Sequence, residues 1–309
     1  MPKPEPKKLN IILAYKDSRL HTYTKVRPHQ NIKELLERED ISVDQLQKAH
    51  DAHLDTLTHI EKTLKNLDCS YKKAYRGRLA GADLSDSLII TVGGDGTLLE
   101  ASHQLKDSVI LGVNSDPGRS TGSLCIADKY SFERNLMLFL NDKLKPTSIP
   151  RLSLALNGQE LPVPALNDVL IAHKNPAATS RFILKAGDHT QDIRSSGVWI
   201  AGPAGSTGGI LSAGGQVTPL TDPQIQVRVR EPCASHQNNS HWQTTFLDDT
   251  TTLEIVSRMR EGMIYLDGPH LGYEFPMGYR LTINQHDNPL SLLISDEMKS
   301  RRLQWSSKA

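Results

Sequence analysis

Asp95 is the one carboxylate in Gly93-Gly94-Asp95-Gly96-Thr97, a turn that follows the apolar run Leu88-Ile89-Ile90-Thr91-Val92 and precedes the helix-like Leu98-Leu99-Glu100-Ala101-Ser102. A strand that ends in glycines and opens into a helix suits a phosphate. Glycine lets backbone N–H groups approach an anion, and the helix N-terminus adds partial positive charge. A carboxylate beside phosphates is costly unless it takes a proton or organises a metal ion. Asp95 is therefore the candidate catalytic group, and Gly93, Gly94, Gly96 and Thr97 form the candidate phosphate cradle. The plainer alternative is a tight turn with Asp95 as a cap. Three glycines around one acid after a buried strand weigh against it.

A second run of small residues extends from Gly202-Pro203-Ala204-Gly205-Ser206-Thr207-Gly208-Gly209 to Ser212-Ala213-Gly214-Gly215. It offers a wall that a flat ligand such as a purine can approach, with the Ser206 and Thr207 hydroxyls for a phosphate or ribose. A flexible loop, or close packing of two backbones, is the competing reading. The spacing is neither a dinucleotide fingerprint nor a Walker pattern, so no Walker lysine supplies phosphate charge. Arg119, in the polar loop 114–122, is a candidate replacement because a guanidinium fork matches phosphate oxygens; an ordinary surface arginine competes equally. Asn167-Asp168 can read ribose hydroxyls and a base edge, but on its own reads as a turn. His50, His53 and His59 do not share one helix face and read as solvated or core-edge residues. Cys233, His236 and His241 lack a fourth ligand for zinc and read as part of a solvated loop within 231–245.

The elements that must position these groups follow from periodicity. Leu9 to Ala14 reads as a buried first strand and Ser18 to Arg27 as a loop. Residues 31–67 read as a helix, with Leu46, Ala49, His53, Leu57, Ile60, Leu64 and Leu67 along one face. The strand Leu88 to Val92, a short helix, the strand Val109 to Val113 and a helix over Tyr130 to Leu144 follow. Strand and helix in alternation imply an α/β unit with a parallel, Rossmann-like sheet, whose ligands sit at the carboxyl ends of strands. Beyond the linker 145–150 short strands dominate: Arg151–Leu156, Val169–Ala172, Arg181–Ala186, Val198–Ala201, Ile225–Val229, Thr252–Ser257, Met263–Leu266 and Arg280–Ile283. They imply an all-β, sandwich-like second domain. The expected division is 1–148, with 294–309 returning to it, and 149–293.

The chain has 309 residues, a formal net charge of +1 and 23% charged residues. It shows no basic excess for nucleic acid and no apolar run of the ~20 residues a membrane span needs. The start, Met1 to Lys8, reads as a disordered lead and not as a secretory or transit signal. Three distant cysteines, Cys69, Cys125 and Cys233, point to reduced thiols in a cytoplasm.

Together these stretches resemble the NAD kinase family. Gly93 to Thr97 is similar to its first signature, Asn167-Asp168 to its Asn-Glu/Asp motif, Ser206-Thr207 with Ser212 to Gly215 to its glycine-rich third motif, and Asp267-Gly268 with Gly278 to its C-terminal motif. The matches run in the family's order over nearly the whole chain. Gly112 to Cys125, which includes Asn114 and Arg119, resembles the divergent, mitochondrial-type branch, as do Ser180-Arg181 and Ser195-Ser196-Gly197. Where family members often carry Thr-Pro-Thr-Gly-Ser-Thr-Ala-Tyr, this chain has Gly202 to Gly209 and lacks the threonine and the aromatic ring.

The resemblance implies ATP-dependent phosphorylation of the adenosine-ribose 2′-hydroxyl of NAD, with Mg²⁺ (or Mn²⁺) carried by ATP near Asp95 and no protein metal cage. It implies Asp95 as base or metal organiser, and Gly93, Gly94, Gly96, Thr97, Asn114 and Arg119 on phosphates. Asn167, Asp168, Arg181, Gly205, Ser206 and Thr207 would hold NAD in the β-rich domain. It also implies a homodimer or higher homo-oligomer. A lipid kinase of the diacylglycerol or sphingosine type shares the Gly-Gly-Asp-Gly-Thr turn, but the small polar second cluster and a mean hydropathy of −0.41 favour a soluble acceptor. A non-catalytic NAD(P)-binding regulator is the remaining alternative, motivated by the altered segment 202–209.

Overall fold

The structure, a computed structural model, describes residues 9–79, 84–233 and 242–306. The initial segment 1–8 and the loop positions of His236 and His241 lie outside the described residues. The chain divides into two compact units. One takes the residues up to Pro146 together with Ser291–Ser295; the other takes Thr147–Leu290 and the chain from Asp296 onward. The return to the first unit is thus the short stretch Ser291–Ser295, whereas the division expected from sequence returns all of 294–309.

In the first unit the strands Tyr71–Tyr75, Asn10–Tyr15, Ser87–Gly93 and Val109–Asn114 lie parallel, side by side in that order. Leu290–Leu293 adds parallel to Val109–Asn114, pairing Ser291 with Val109. All of Ser87–Gly93 is buried, as expected of a central parallel strand covered on both faces, which needs a continuous apolar run. The helix Asp44–Asn66 buries His53, Thr56, Leu57, Ile60, Thr63 and Leu64 at steps of three and four. Leu57, Ile60 and Leu64 join Leu88, Ile90, Val92, Leu111 and Val113 in one core.

Three local expectations change. The helical pattern over 31–67 is two helices, Gln30–Glu37 and Asp44–Asn66. Between them Glu39 takes a φ of +52° and the Asp40 carboxylate accepts from the Ser42 N–H at 2.8 Å, local chemistry that ends a helix. Ser18 to Arg27 is not a loop but the turns Arg19–His21 and Thr22–Val26, started by Ser18 Oγ accepting from His21 N–H at 3.1 Å and anchored by buried Leu20. The later helix is shorter than expected, Phe132–Leu140.

Among the described residues the second unit is a sandwich of two antiparallel six-stranded sheets. One sheet runs, in spatial order, His189–Ser195, Ser180–Ala186, Leu253–Ser257, Arg280–Gln285, Leu152–Leu156 and Gln159–Glu160. The other runs Thr245–Leu247, Ile225–Arg230, Gly197–Ala201, Asp168–His173, Gly262–Leu266 and Leu271–Glu274. Phe182, Leu184, Ile255 and Ile283 from the first meet Val169, Ile171, Ile200, Val227 and Ile264 from the second in one core. The strands not foreseen in this unit, such as His189–Ser195 and Leu271–Glu274, are sheet edges, where a polar composition is tolerated. The helix Asp296–Ser306 follows.

Candidate active site

At the carboxyl end of Ser87–Gly93 the chain turns at Gly94 and enters the helix Asp95–Ser102, so Asp95 occupies the first helical position. Its carboxylate is held in place from one side. Oδ2 accepts the Ser123 N–H and Oδ1 the Leu124 N–H, each at 2.9 Å. The Cys125 Sγ lies 3.9 Å from Oδ1, and burial, followed by the charge of Asp95, pushes that thiol well above its usual range. The thiol is therefore protonated and donates to the carboxylate. Thr97 is buried, and its Oγ1 is enclosed without a hydrogen-bond partner in the first turn of the helix.

Beside this turn the first unit holds a cavity of about 380 Å³, lined among others by Lys16, Arg19, His53, Gly94, Ser115 and Arg119. The Lys16 pKa is lowered, first by burial and then by the nearby charges of Arg76 and Arg19. Lys16, Arg19 and Arg119 around one cleft, offset in part by Asp116, favour an anion. Arg119 is tethered by its Nε to Asp116 Oδ2 at 2.7 Å. Asn114 braces the same loop: Nδ2 donates to the Ser120 carbonyl at 2.8 Å, and Oδ1 accepts the Asp116 N–H at 3.1 Å. Burial lowers the His53 pKa to about 4. The neutral ring donates from Nε2 to the Lys16 carbonyl at 2.9 Å and accepts at Nδ1 from the Ser115 hydroxyl at 3.1 Å. It therefore sets the backbone that carries Lys16. Of the residues singled out from sequence, Gly94, Asn114 and Arg119 gather at this cavity. Lys16, Arg19 and His53 were missed as site residues. Their available signal was positional, since Lys16 directly follows the first strand and ligands collect at carboxyl ends of such strands.

In the second unit Asp168 opens the strand Asp168–His173. The Asp267 carboxylate clasps the backbone before it, accepting the N–H groups of Leu166 at 2.9 Å, Asn167 at 2.7 Å and Asp168 at 3.1 Å. Asp168 itself is only 6% exposed. Burial, and then the charge of Asp267, raise its pKa from 3.8 to about 7. The glycine-rich stretch packs directly on this motif. A Cβ on Gly205 would stand 1.8 Å from the Asn167 carbonyl oxygen, so only glycine fits there. The Ser206 hydroxyl is engaged within the protein, donating to the Pro203 carbonyl at 2.9 Å and accepting from the Thr218 N–H at 3.0 Å. Thr207 ends the same short turn, Ala204–Thr207. Arg181 lies exposed in the other sheet, opposite Arg194. The Trp199 indole lies against Gly209, where a Cβ would meet Cζ2 at 2.7 Å.

No family model matches the chain. It is 34% identical over 267 residues to a protein of Oryza sativa subsp. japonica named "Probable NADH kinase", covering 79% of this chain and 82% of that one. The chain belongs to the NAD/NADH kinase family. A relative from Arabidopsis thaliana named "NADH kinase" is 34% identical over 276 residues, covering 82% of this chain and 87% of its own length. Two solved structures of the family share the fold. An NAD kinase from Archaeoglobus fulgidus in complex with ATP aligns with a TM-score of 0.67 at 19% identity, over 97% of this chain and all of that one. Yeast NADH kinase complexed with NADH aligns with a TM-score of 0.69 at 14% identity, over 97% and 87%. Membership of this family sets aside the lipid-kinase alternative.

Proposed function

We propose that the protein transfers the γ-phosphoryl group of ATP to the adenosine-ribose 2′-hydroxyl of NAD, giving NADP and ADP. The observation that carries this reading is the Asp95 carboxylate, fixed by two backbone amides at the head of a helix that follows a glycine turn, in a chain of this family. Asp95 orients the hydroxyl and takes its proton as the oxygen attacks the γ-phosphorus; the bond from that phosphorus to the β-bridging oxygen breaks and ADP leaves. Lys16, Arg19 and Arg119 with the Gly93 to Thr97 backbone hold the donor phosphates, so that catalysis is mainly positioning and charge neutralisation. A magnesium ion carried by ATP would add charge neutralisation at the donor phosphates, with Asp95 the residue of this chain that would help to hold it. Asp95 already accepts two amides, so the ion would take most of its ligands from phosphate and water.

On the acceptor side Asn167 and Asp168 hold the dinucleotide, the buried Asp168 carboxylate accepting from ribose hydroxyls. Gly205 keeps the loop flush against Asn167, and Thr207, at the end of the same turn, would face the dinucleotide. Ser206 serves as a brace of that loop. NADH is a second acceptor, a reading favoured by the names of the two plant relatives. The enzyme acts as a homo-oligomer in the cytoplasm, in keeping with three free thiols. No helix among the described residues is long and apolar enough to cross a membrane.

The test is incubation of purified protein with ATP, Mg²⁺ and either NAD or NADH, reading NADP or NADPH with a specific dehydrogenase. Product from the wild type, lost in Asp95→Asn, is expected. Tight dinucleotide binding without product under any donor or metal would overturn the reading in favour of a regulatory protein.

A further inference from the structure

The helix Asp296–Ser306 carries one arginine that is deeply buried: Arg302 is 6% exposed. Its guanidinium grips both limbs of one loop. Nη2 donates to the carbonyls of Pro203 and, at 3.2 Å, Ala204, and to the Ser206 hydroxyl at 2.9 Å. Nε donates to the Thr218 carbonyl at 2.8 Å. Ser206 Oγ, donating to Pro203 and accepting from Thr218 N–H, sits between the same two limbs. Arg302 and Ser206 thus staple 203–206 to Thr218, and with it the whole small-residue segment between them.

That segment needs such a device. Glycines and small side chains offer little packing, and their backbone freedom has to be removed by other contacts. A guanidinium donates along fixed directions, so it orients the carbonyls it binds as well as attracting them. Burying a cation is costly unless its donors are met, and here the loop meets those of Nε and Nη2. The far end is treated alike: Arg228 donates from Nε to the Ala213 carbonyl at 2.7 Å and from Nη1 to Thr244 Oγ1 at 2.7 Å. The loop in turn presses Gly205 onto Asn167, whose backbone Asp267 clasps.

We propose that Arg302 is a positioning residue for the dinucleotide subsite. It touches no substrate. It holds the 203–218 loop against Asn167-Asp168, so that the acceptor meets a preformed surface and does not have to order the loop on binding. This rests on the NAD kinase reading above.

The test compares Arg302→Met and Arg302→Lys with the wild type, varying NAD (or NADH) and ATP separately, alongside amide hydrogen exchange without ligands. The expected result for Arg302→Met is a KM for the dinucleotide raised about tenfold by loop ordering, with the KM for ATP unchanged and faster exchange confined to 203–218. Arg302→Lys, which keeps the charge but not the fork, should recover part of the dinucleotide KM. Unchanged dinucleotide KM with unchanged exchange would refute the proposal. So would a rise in both KM values with faster exchange throughout the chain, the signature of a merely structural arginine. Should Arg302→Met not accumulate as folded protein, Ser206→Ala reads the same staple: a raised dinucleotide KM supports it and an unchanged one refutes it. A wild type without kinase activity defeats the functional reading alone, because the exchange measurement still judges the staple.

Discussion

Replacing Asp168 by asparagine should make the ligand-free protein more stable and a worse enzyme, and the size of the first effect follows from the site. Burial, reinforced by Asp267, raises the Asp168 pKa from 3.8 to about 7. Between those values the native protein keeps a proton that the unfolded chain releases, so stability falls as pH rises through the window and is lowest above it. At about 1.4 kcal/mol per pKa unit, the displacement costs about 4 kcal/mol above pH 7, a large share of the roughly 5–15 kcal/mol that holds a domain together. Asparagine has nearly the same shape and carries no charge to bury. Urea unfolding of both proteins across pH isolates the effect as a difference. The variant's advantage should grow by about 1.4 kcal/mol per pH unit between about pH 4 and about pH 7, then level off. On the proposal that Asp168 accepts from ribose hydroxyls, the same variant should bind NAD about tenfold or more weakly. A stability difference that does not vary with pH, or a variant less stable than wild type at about pH 8, would refute the reasoning.

Asp95→Asn should lower turnover by about 10²–10⁴-fold. Because both carboxylate oxygens hold backbone amides, it should also cost about 1.5–3 kcal/mol of stability; a lowered Tm checks this, and unaltered turnover would remove Asp95 from its role. Gly205→Ala should abolish dinucleotide binding or folding, since the obstacle is the backbone oxygen of Asn167 and cannot swing aside; calorimetric titration showing normal NAD affinity would contradict it. His53 is neutral in the native protein, with a pKa lowered to about 4. Its contribution to stability is therefore present above its ordinary value of 6.5 and lost as pH falls toward 4. NMR titration of its ring should show no protonation near neutrality, and an ordinary midpoint would disprove the buried, doubly bonded ring.

What could be read from the chain was chemistry stored locally. The turn at Gly93 to Thr97 declares itself because strand, glycines, acid and helix are contiguous, and the sandwich declares itself through alternating strands with punctuating turns. Lys16 and Arg19 carry no motif. They become site residues only when parallel strands bring their carboxyl ends together, an arrangement in space that local spacing does not express. Ser206 shows the opposite effect: its type and neighbours suggested a ligand, while three-dimensional packing gives its hydroxyl to Pro203, Thr218 and Arg302. Tyr71–Tyr75 and His189–Ser195 escaped notice because edge strands need no buried alternation. The break at Glu39 escaped it because the apolar periodicity runs on past a residue with positive φ.

The strand Leu290–Leu293 carries a consequence for how the molecule is made. It pairs with Val109–Asn114, yet is synthesised only after the entire sandwich sequence. A nascent chain that stops short of it leaves Val109 and Ile110 without that strand partner, beside apolar Leu111, while Val113 and Asn114 keep their pairing with Ala127 and Asp128. Such an edge invites pairing with another chain, and long-range parallel pairing is slow to form. Premature termination or a strand-breaking substitution at Leu292 would therefore damage the half of the protein that carries Asp95, although every residue of its glycine turn had long since left the ribosome.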